Sequence, residues 1–259
     1  MNLPKPCFSE EKKYCLSSTC VGIEKWMSGV LLTAEMIGRE SLKSETIEAV
    51  LNIYSHLQPE EFVNAVGHYY ASGLKRYKNQ WTYSDISTVI YAGCRLIDPA
   101  RYLEIGVRRG RSMAIVAATR PDCHIVGFDS WKKNYGGIEN PGKDFVEKEI
   151  KQIGHKGILD LVSGNSHEKV PKYLQDHPDA WFDLITVDGD HSPEGAARDI
   201  ADVLPRLTIG GVLVFDDISH PAHPELMKVW EFYFSDKIRF SSWTFTDLGF
   251  GVAVAVRKA

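Results

Sequence analysis

Past Pro99 the chain alternates strictly between short apolar runs and amphipathic stretches, and this alternation limits the fold more than any other feature. Tyr102–Ile105, His124–Phe128, Leu159–Val162, Phe182–Val187 and Val212–Phe215 read as strands. Ser112–Thr119, Lys143–Ile153, Glu168–Leu174 and Pro193–Leu204 lie between them with helical spacing. Strands joined through helices by short turns pair in parallel, and a parallel sheet must be covered on both faces. The end of the chain departs from this pattern. After a helix over Glu225–Phe234, two strands, Arg239–Phe245 and Gly251–Val256, flank a turn at Asp247-Leu248-Gly249. That spacing makes a hairpin, so the last strand is expected to run antiparallel to its neighbours.

Upstream the periodicity is helical and contains no strand. Trp26, Val30, Leu31, Ala34 and Ile37 recur on one face, as do Ile47, Val50, Leu51 and Tyr54, and Pro59-Glu60-Glu61 suits a helix N-terminus. A further helix is expected over Tyr83–Leu96, stopped by Pro99. We therefore divide the chain into a helical N-terminal appendage, residues 1–80, and a domain over residues 81–259. The appendage is a candidate lid or a contact between copies of the chain.

Composition excludes some classes. At 44% hydrophobic residues over 259 positions the chain is no disordered tail, and 30 basic against 34 acidic side chains argue against a nucleic-acid or anionic-lipid surface. No apolar run is long enough to span a bilayer and the first ten residues lack a secretory apolar core, so a cytoplasmic location is expected. Five cysteines, with Cys7, Cys15 and Cys20 unpaired in spacing, fit free thiols better than a disulfide framework or a zinc site.

Glycines and acids mark the strand ends. The first strand runs into Glu104-Ile105-Gly106-Val107-Arg108-Arg109-Gly110-Arg111-Ser112. Glycine there permits a sharp turn and close backbone approach, while the following helix presents free N–H groups. An acid at Glu104 would repel a pyrophosphate and suits a cationic ligand instead. The second strand ends in Asp129, placed to accept both hydroxyls of a ribose. The third ends in Ser163-Gly164-Asn165-Ser166, small and polar, where backbone can pass close to a base ring, although such residues are also ordinary turn formers.

Residues 100–257 resemble the class I S-adenosylmethionine-dependent methyltransferases, in motif order and spacing the O-methyltransferase branch. The resemblance implies a Rossmann-like α/β fold whose mostly parallel seven-stranded sheet ends in an antiparallel strand. It implies S-adenosylmethionine as cofactor, with Glu104, Gly106, Gly110 and Ser112 around its methionine part and Glu104 near the ammonium group. Asp129 would take the ribose, Ser166 with Asn165 the adenine edge, and Asp188 would border the same pocket.

The fourth strand ends in Asp188-Gly189-Asp190-His191 and the fifth in Asp216-Asp217. Ligands of an open parallel sheet gather at the carboxyl ends of its strands, so these acids should converge. Crowded carboxylates require a cation or raised pKa values, and Mg²⁺, a hard ion with oxygen ligands, is the simplest cation. We expect a metal held by Asp188, Asp216 and Asp217; read blandly, the same acids are a pocket acid and a solvated turn. His191, three positions after Asp188, is the candidate general base, since an imidazole can accept a proton near neutral pH. The spacing is similar to that of the metal-dependent enzymes acting on macrolide sugars, which place histidine there, whereas the catechol-type enzymes place lysine. Asp216-Asp217 departs from the Glu-Asp of the former and the Asp-Asn of the latter.

The expected activity is Mg²⁺-assisted methyl transfer to a hydroxyl of a small molecule, a glycosyl or other natural-product scaffold, with no nucleic-acid partner. Two alternatives stand beside it: a metal-independent N- or O-methyltransferase, and a regulatory protein that binds the cofactor without turnover. His220 and His223, Trp131, and the basic residues Arg108, Arg109, Arg111, Lys132 and Lys133 line up near the site in sequence; loop packing accounts for the histidines and Trp131 at least as well, and for the basic residues a solvated rim is the better reading than a contact to an anionic acceptor.

Overall fold

The computed structural model describes residues 3–4, 29–134 and 139–259. Trp26, Cys7, Cys15 and Cys20 lie outside the described residues. Seven strands form one sheet: β1 (Arg101–Ile105), β2 (His124–Asp129), β3 (Leu159–Ser163), β4 (Phe182–Val187), β5 (Leu207–Asp216), β6 (Phe240–Phe245) and β7 (Val252–Arg257), in the order β3-β2-β1-β4-β5-β7-β6. β1 to β5 pair in parallel, and β7 lies antiparallel between β5 and β6, as the terminal hairpin required. The chain order reverses direction between β1 and β4, which is where an open sheet splays its loops and forms a ligand crevice.

Nine helices are described: α1 (Ala34–Ser41), α2 (Ser44–Tyr54), α3 (Glu61–Tyr77), α4 (Ile86–Ile97), α5 (Arg111–Thr119), α6 (Lys143–Gln152), α7 (Ser166–Asp176), α8 (Pro193–Val203) and α9 (Leu226–Phe234). Strand side chains alternate between the two faces, so the core has two layers. Tyr102, Ile125, Leu184, Val212 and Val254 pack with residues of α1 to α6, among them Ile37, Ile47, Tyr70, Ile90, Met113 and Ile150. Leu103, Val126, Phe128, Ile185, Leu213 and Ala253 pack with residues of α7 to α9, including Val170, Ile200 and Trp230. Burying each such large side chain contributes about 1.5–3 kcal/mol.

The helix starts follow from capping more than from periodicity. The spacing of Val30 and Leu31 suggested a helix that the structure does not contain: α1 begins at Ala34, where Thr33 accepts from Met36 N, and Leu31 is 90% exposed. Likewise α4 starts at Ile86, three residues later than its apolar pattern, because Asp85 and Thr88 form a reciprocal capping box. Of the N-terminal helices, α1 seats directly on the sheet. A Cβ on Gly38 of α1 would lie 2.3 Å from the Trp243 ring of β6, and Ala34 N donates to Ser241 Oγ at 3.0 Å. Among the described residues no helix is long and apolar enough to cross a membrane.

Candidate active site

The loops after β1, β2, β4 and β5 meet at the carboxyl edge of the sheet. β1 and β4 are locked together there: Asp188 N donates to Ile105 O at 2.9 Å, and Gly106, at φ +94°, passes so close that a Cβ would lie 1.9 Å from Asp188 O. Only glycine fits both that conformation and that approach. Gly110, at φ +72°, is the N-cap of α5 and provides no side-chain cap, so the first N–H groups of α5 stay available to a ligand.

Glu104 is fully buried, with Ser112 Oγ donating to Oε1 and Tyr102 Oη lying 3.0 Å from Oε2 and 2.9 Å from Thr186 Oγ1. Burial pushes its carboxyl up to about 8, against the two hydrogen bonds. Asp129 is held by Arg108 N (2.7 Å), Trp131 N (2.5 Å) and Asn140 Nδ2 (3.3 Å), which joins the first turn to the second. Trp131 Nε1 donates to Ser163 Oγ at 2.9 Å, so its ring crosses the ends of β2 and β3. Asn165 caps α7 by accepting from His167 N at 3.1 Å, and Ser166 is hydrogen-bonded to the buried Asp199.

At β4 and β5 the acids face each other. His191 Nε2 lies 3.3 Å from Asp188 Oδ1 and 3.6 Å from Asp217 Oδ2. These three residues can present one ligand atom each within 4.8 Å of one another, and Asp216 stands outside that group. The hydrogen bond to Asp188 raises the His191 pKa, opposed by burial and aided by the charges of Asp188 and Asp217. Burial and then the charge of Asp188 push Asp217 up to about 6, and burial with the charges of Asp188 and Asp217 pushes Asp216 well above the carboxylate range. Two mutually repelling carboxylates and a histidine are a donor set that suits a divalent cation.

Further residues border this cluster. His223 sits with its ring 4.9 Å from that of His191, and His220 packs 4.2 Å from Phe250, on the turn between β6 and β7. Asp199 of α8 lies under the β4 loop, 3.4 Å from Asp190 N and 3.3 Å from His167 Nε2; burial pushes it up to about 6. Phe62 of α3 reaches over Arg108 and Arg111. Phe62 comes from an element remote in sequence, and no local motif announces it, whereas His220 and His223 stand in the loop after β5 that the sequence already places near the site.

Residues 103–218 match the family described as a methyltransferase domain. No protein of curated function matches the chain. Among solved structures, the apo TDP-rhamnose 3'-O-methyltransferase of calicheamicin biosynthesis superposes with a TM-score of 0.53 at 22% identity, over 82% of this chain and 93% of that one. The O-methyltransferase TomG from Streptomyces achromogenes, involved in tomaymycin synthesis and solved with S-adenosylmethionine, gives 0.54 at 18% identity over 78% and 92%. An O-methyltransferase from Bacillus cereus in complex with S-adenosylhomocysteine gives 0.52 at 16% identity over 83% and 91%. At such identities the likeness establishes the fold alone, the Rossmann-like sheet that the chain shares with these structures.

Proposed function

We propose that this chain, whose residues 103–218 match the family described as a methyltransferase domain, transfers the methyl group of S-adenosylmethionine to a hydroxyl of a small molecule, a glycosyl or other natural-product scaffold, in the cytoplasm. The observation that carries this reading is His191 Nε2 lying between Asp188 and Asp217, at 3.3 and 3.6 Å, on the crevice where the sheet order reverses.

The cofactor's cationic methionine end would lie over the β1 turn. Gly106 lets the backbone turn there, Gly110 leaves the N–H groups of α5 free for the carboxylate, and Glu104 with Ser112 supplies negative charge for the ammonium group. Asp129 would receive the ribose hydroxyls, and Asn165 and Ser166 would border the adenine. Asp188 closes the pocket from the β4 side. The division into a helical appendage, residues 1–80, and a cofactor-binding domain, residues 81–259, belongs to the same proposal, with the appendage walling the acceptor side.

Asp188 and Asp217, which with His191 can present ligand atoms within 4.8 Å of one another, and Asp216 as the third acid of the expected set would hold Mg²⁺; bound there, the ion would lower the pKa of an acceptor hydroxyl. His191 takes the hydroxyl proton on its ring, and Asp188, whose Oδ1 lies 3.3 Å from Nε2, stabilises the imidazolium that results. The acceptor oxygen then displaces the methyl group from sulfur in line, and the contribution of the chain is chiefly alignment. A metal-independent reading has its own support: His191 already stands between the two carboxylates, where its protonated form offsets part of their charge without an ion.

Turnover of S-adenosylmethionine against a panel of hydroxylated acceptors, with and without EDTA, separates these readings. Methyl transfer that collapses in EDTA and returns with Mg²⁺ supports the metal; undiminished transfer selects the metal-independent form. Cofactor binding without transfer to any acceptor, with His191→Ala behaving as the wild type, would return the protein to a regulatory role.

A further inference from the structure

The three arginines of the β1 turn do not share one environment. Arg109 has a partner: Nη1 lies 3.1 Å from a Glu139 carboxylate oxygen, and its guanidinium packs 4.5 Å from the Phe145 ring centroid. Arg108 and Arg111 both lean on the face of Phe62, with Cζ 5.6 and 4.5 Å from the ring centroid. Among the described residues, Arg108 Nε and Nη2 and Arg111 Nε are shut off from solvent without any hydrogen-bond acceptor.

Their position relative to the acids is informative. Arg108 feels the charges of Glu60, the N-cap of α3, and of Asp188, and Arg111 feels those of Asp85, the N-cap of α4, and of Asp216 and Asp217. The guanidinium pair therefore borders the same crevice as the acid cluster, on the side walled by α3. A guanidinium stacked on an aromatic face keeps its N–H edge free, and that planar fork matches two oxygens of a carboxylate or phosphate. Two like charges held side by side, with donors unpaired, are the arrangement an anion completes.

We propose that Arg108 and Arg111, backed by Phe62, form an anion subsite of the acceptor pocket that takes a phosphate or carboxylate group of the hydroxylated acceptor. The inference rests on the methyl-transfer reading above and narrows it to acidic acceptors. The acceptor would lie with its hydroxyl toward His191 and Asp188 and its anionic group toward α3. The two ends of the substrate would then be sorted by charge before chemistry begins.

The test is calorimetric titration of the full chain loaded with S-adenosylhomocysteine, in EDTA so that no cation bridges the acids to the probe. Pyrophosphate is the phosphate probe, 3,4-dihydroxybenzoate the carboxylate probe, and catechol the neutral match of the latter. An anionic probe is expected to bind at least about tenfold more tightly than catechol, and whichever probe binds identifies the group. Arg108→Gln and Arg111→Gln are each expected to weaken it by about tenfold or more, with S-adenosylhomocysteine affinity kept within about threefold. Arg108→Gln, at the less deeply buried arginine, decides the matter if Arg111→Gln does not fold. The proposal is overturned if neither anion outbinds catechol, or if the arginine variants bind the anion as the wild type does. It is equally overturned if S-adenosylhomocysteine affinity falls in step, because the arginines then serve the carboxylate of the cofactor. Anion binding that follows the arginines in a protein that methylates no acceptor would keep the subsite and sink the methyl-transfer reading; the two failures are thus told apart.

Discussion

The two halves of the carboxyl edge of the sheet treat their acids in opposite ways. At β1 and β2 each acid has donors from its own surroundings: Ser112 and Tyr102 for Glu104, and the N–H groups of Arg108 and Trp131 with Asn140 for Asp129. At β4 and β5, the charges of Asp188 and Asp217 raise the pKa of Asp216, that of Asp188 raises the pKa of Asp217, and Asp188 and Asp217 share a single histidine. The acids of the first half are hydrogen-bonded before any ligand arrives. The second half carries unrelieved charge, and relief comes from a proton, a cation or a substrate, which are the participants of a reaction.

The largest expected effect comes from breaking the seam between the halves. Gly106→Ala would force a Cβ to within 1.9 Å of Asp188 O at φ +94°. A backbone collision of that kind has no flexible side chain to absorb it, and a loss of about 4 kcal/mol or more is expected. Chemical denaturation measures it, and a variant as stable as the wild type would show that the seam is looser than the structure has it.

Next in size is the charged half taken alone. Asp217 sits at φ +60°, a conformation asparagine tolerates, so Asp217→Asn removes charge with little backbone penalty. We expect roughly a hundredfold loss of kcat together with a melting temperature equal to or above that of the wild type, since repulsion with Asp188 is removed. If activity and stability fell together, the acids would be structural and the contrast between the halves would fail.

How far the sequence foretells these halves depends on how local each one is. Glu104, Gly106, Gly110 and Ser112 lie on one contiguous turn, and Asp129 ends the next strand, so the strand-end rule alone placed them together. Asp188 and His191 were legible for the same reason. The pair Asp216-Asp217 was not resolvable in that way, because consecutive residues at a strand end point to opposite faces. Asp217 turns toward His191 at 3.6 Å, whereas Asp216 is felt by Asp85 and lies toward the α4 side. Phe62 over the arginines, Phe250 against His220 and Asp199 beneath the β4 loop depend on how remote elements pack, which no single-chain pattern encodes. The start of α1 was misread for a smaller reason: the apolar spacing of Val30 and Leu31 imitates a helix, but Thr33 provides the first N-cap.

The satisfied half has a pH signature of its own. Burial raises the Glu104 carboxyl from 4.5 to about 8, so between those values the folded chain binds a proton that the unfolded chain has lost. Stability from this group is therefore greatest below pH 4.5, falls as pH rises through the window and levels off above 8. The slope is about 1.4 kcal/mol per pH unit at most. Denaturation midpoints across that range should show the slope in the wild type and lose it in Glu104→Gln. S-adenosylhomocysteine should flatten it, because an ammonium group near Glu104 favours the ionised carboxylate. An unchanged slope in Glu104→Gln would assign the effect to other acids.

The smallest effect tests whether the satisfied half extends to β3. Asn165 accepts from His167 N at 3.1 Å and caps α7, a role that accounts for it without any ligand. As a cap alone, Asn165→Ala costs about 1 kcal/mol of stability, Asn165→Ser recovers most of it, and neither alters cofactor affinity by more than about twofold. As a neighbour of the adenine edge, Asn165 has a second duty that serine cannot fulfil at the same reach. Asn165→Ser would then restore stability while leaving S-adenosylhomocysteine binding several-fold weaker. Thermal melts and calorimetry on the same two variants separate the outcomes, because the cap acts on the free chain and the ligand contact on the complex only.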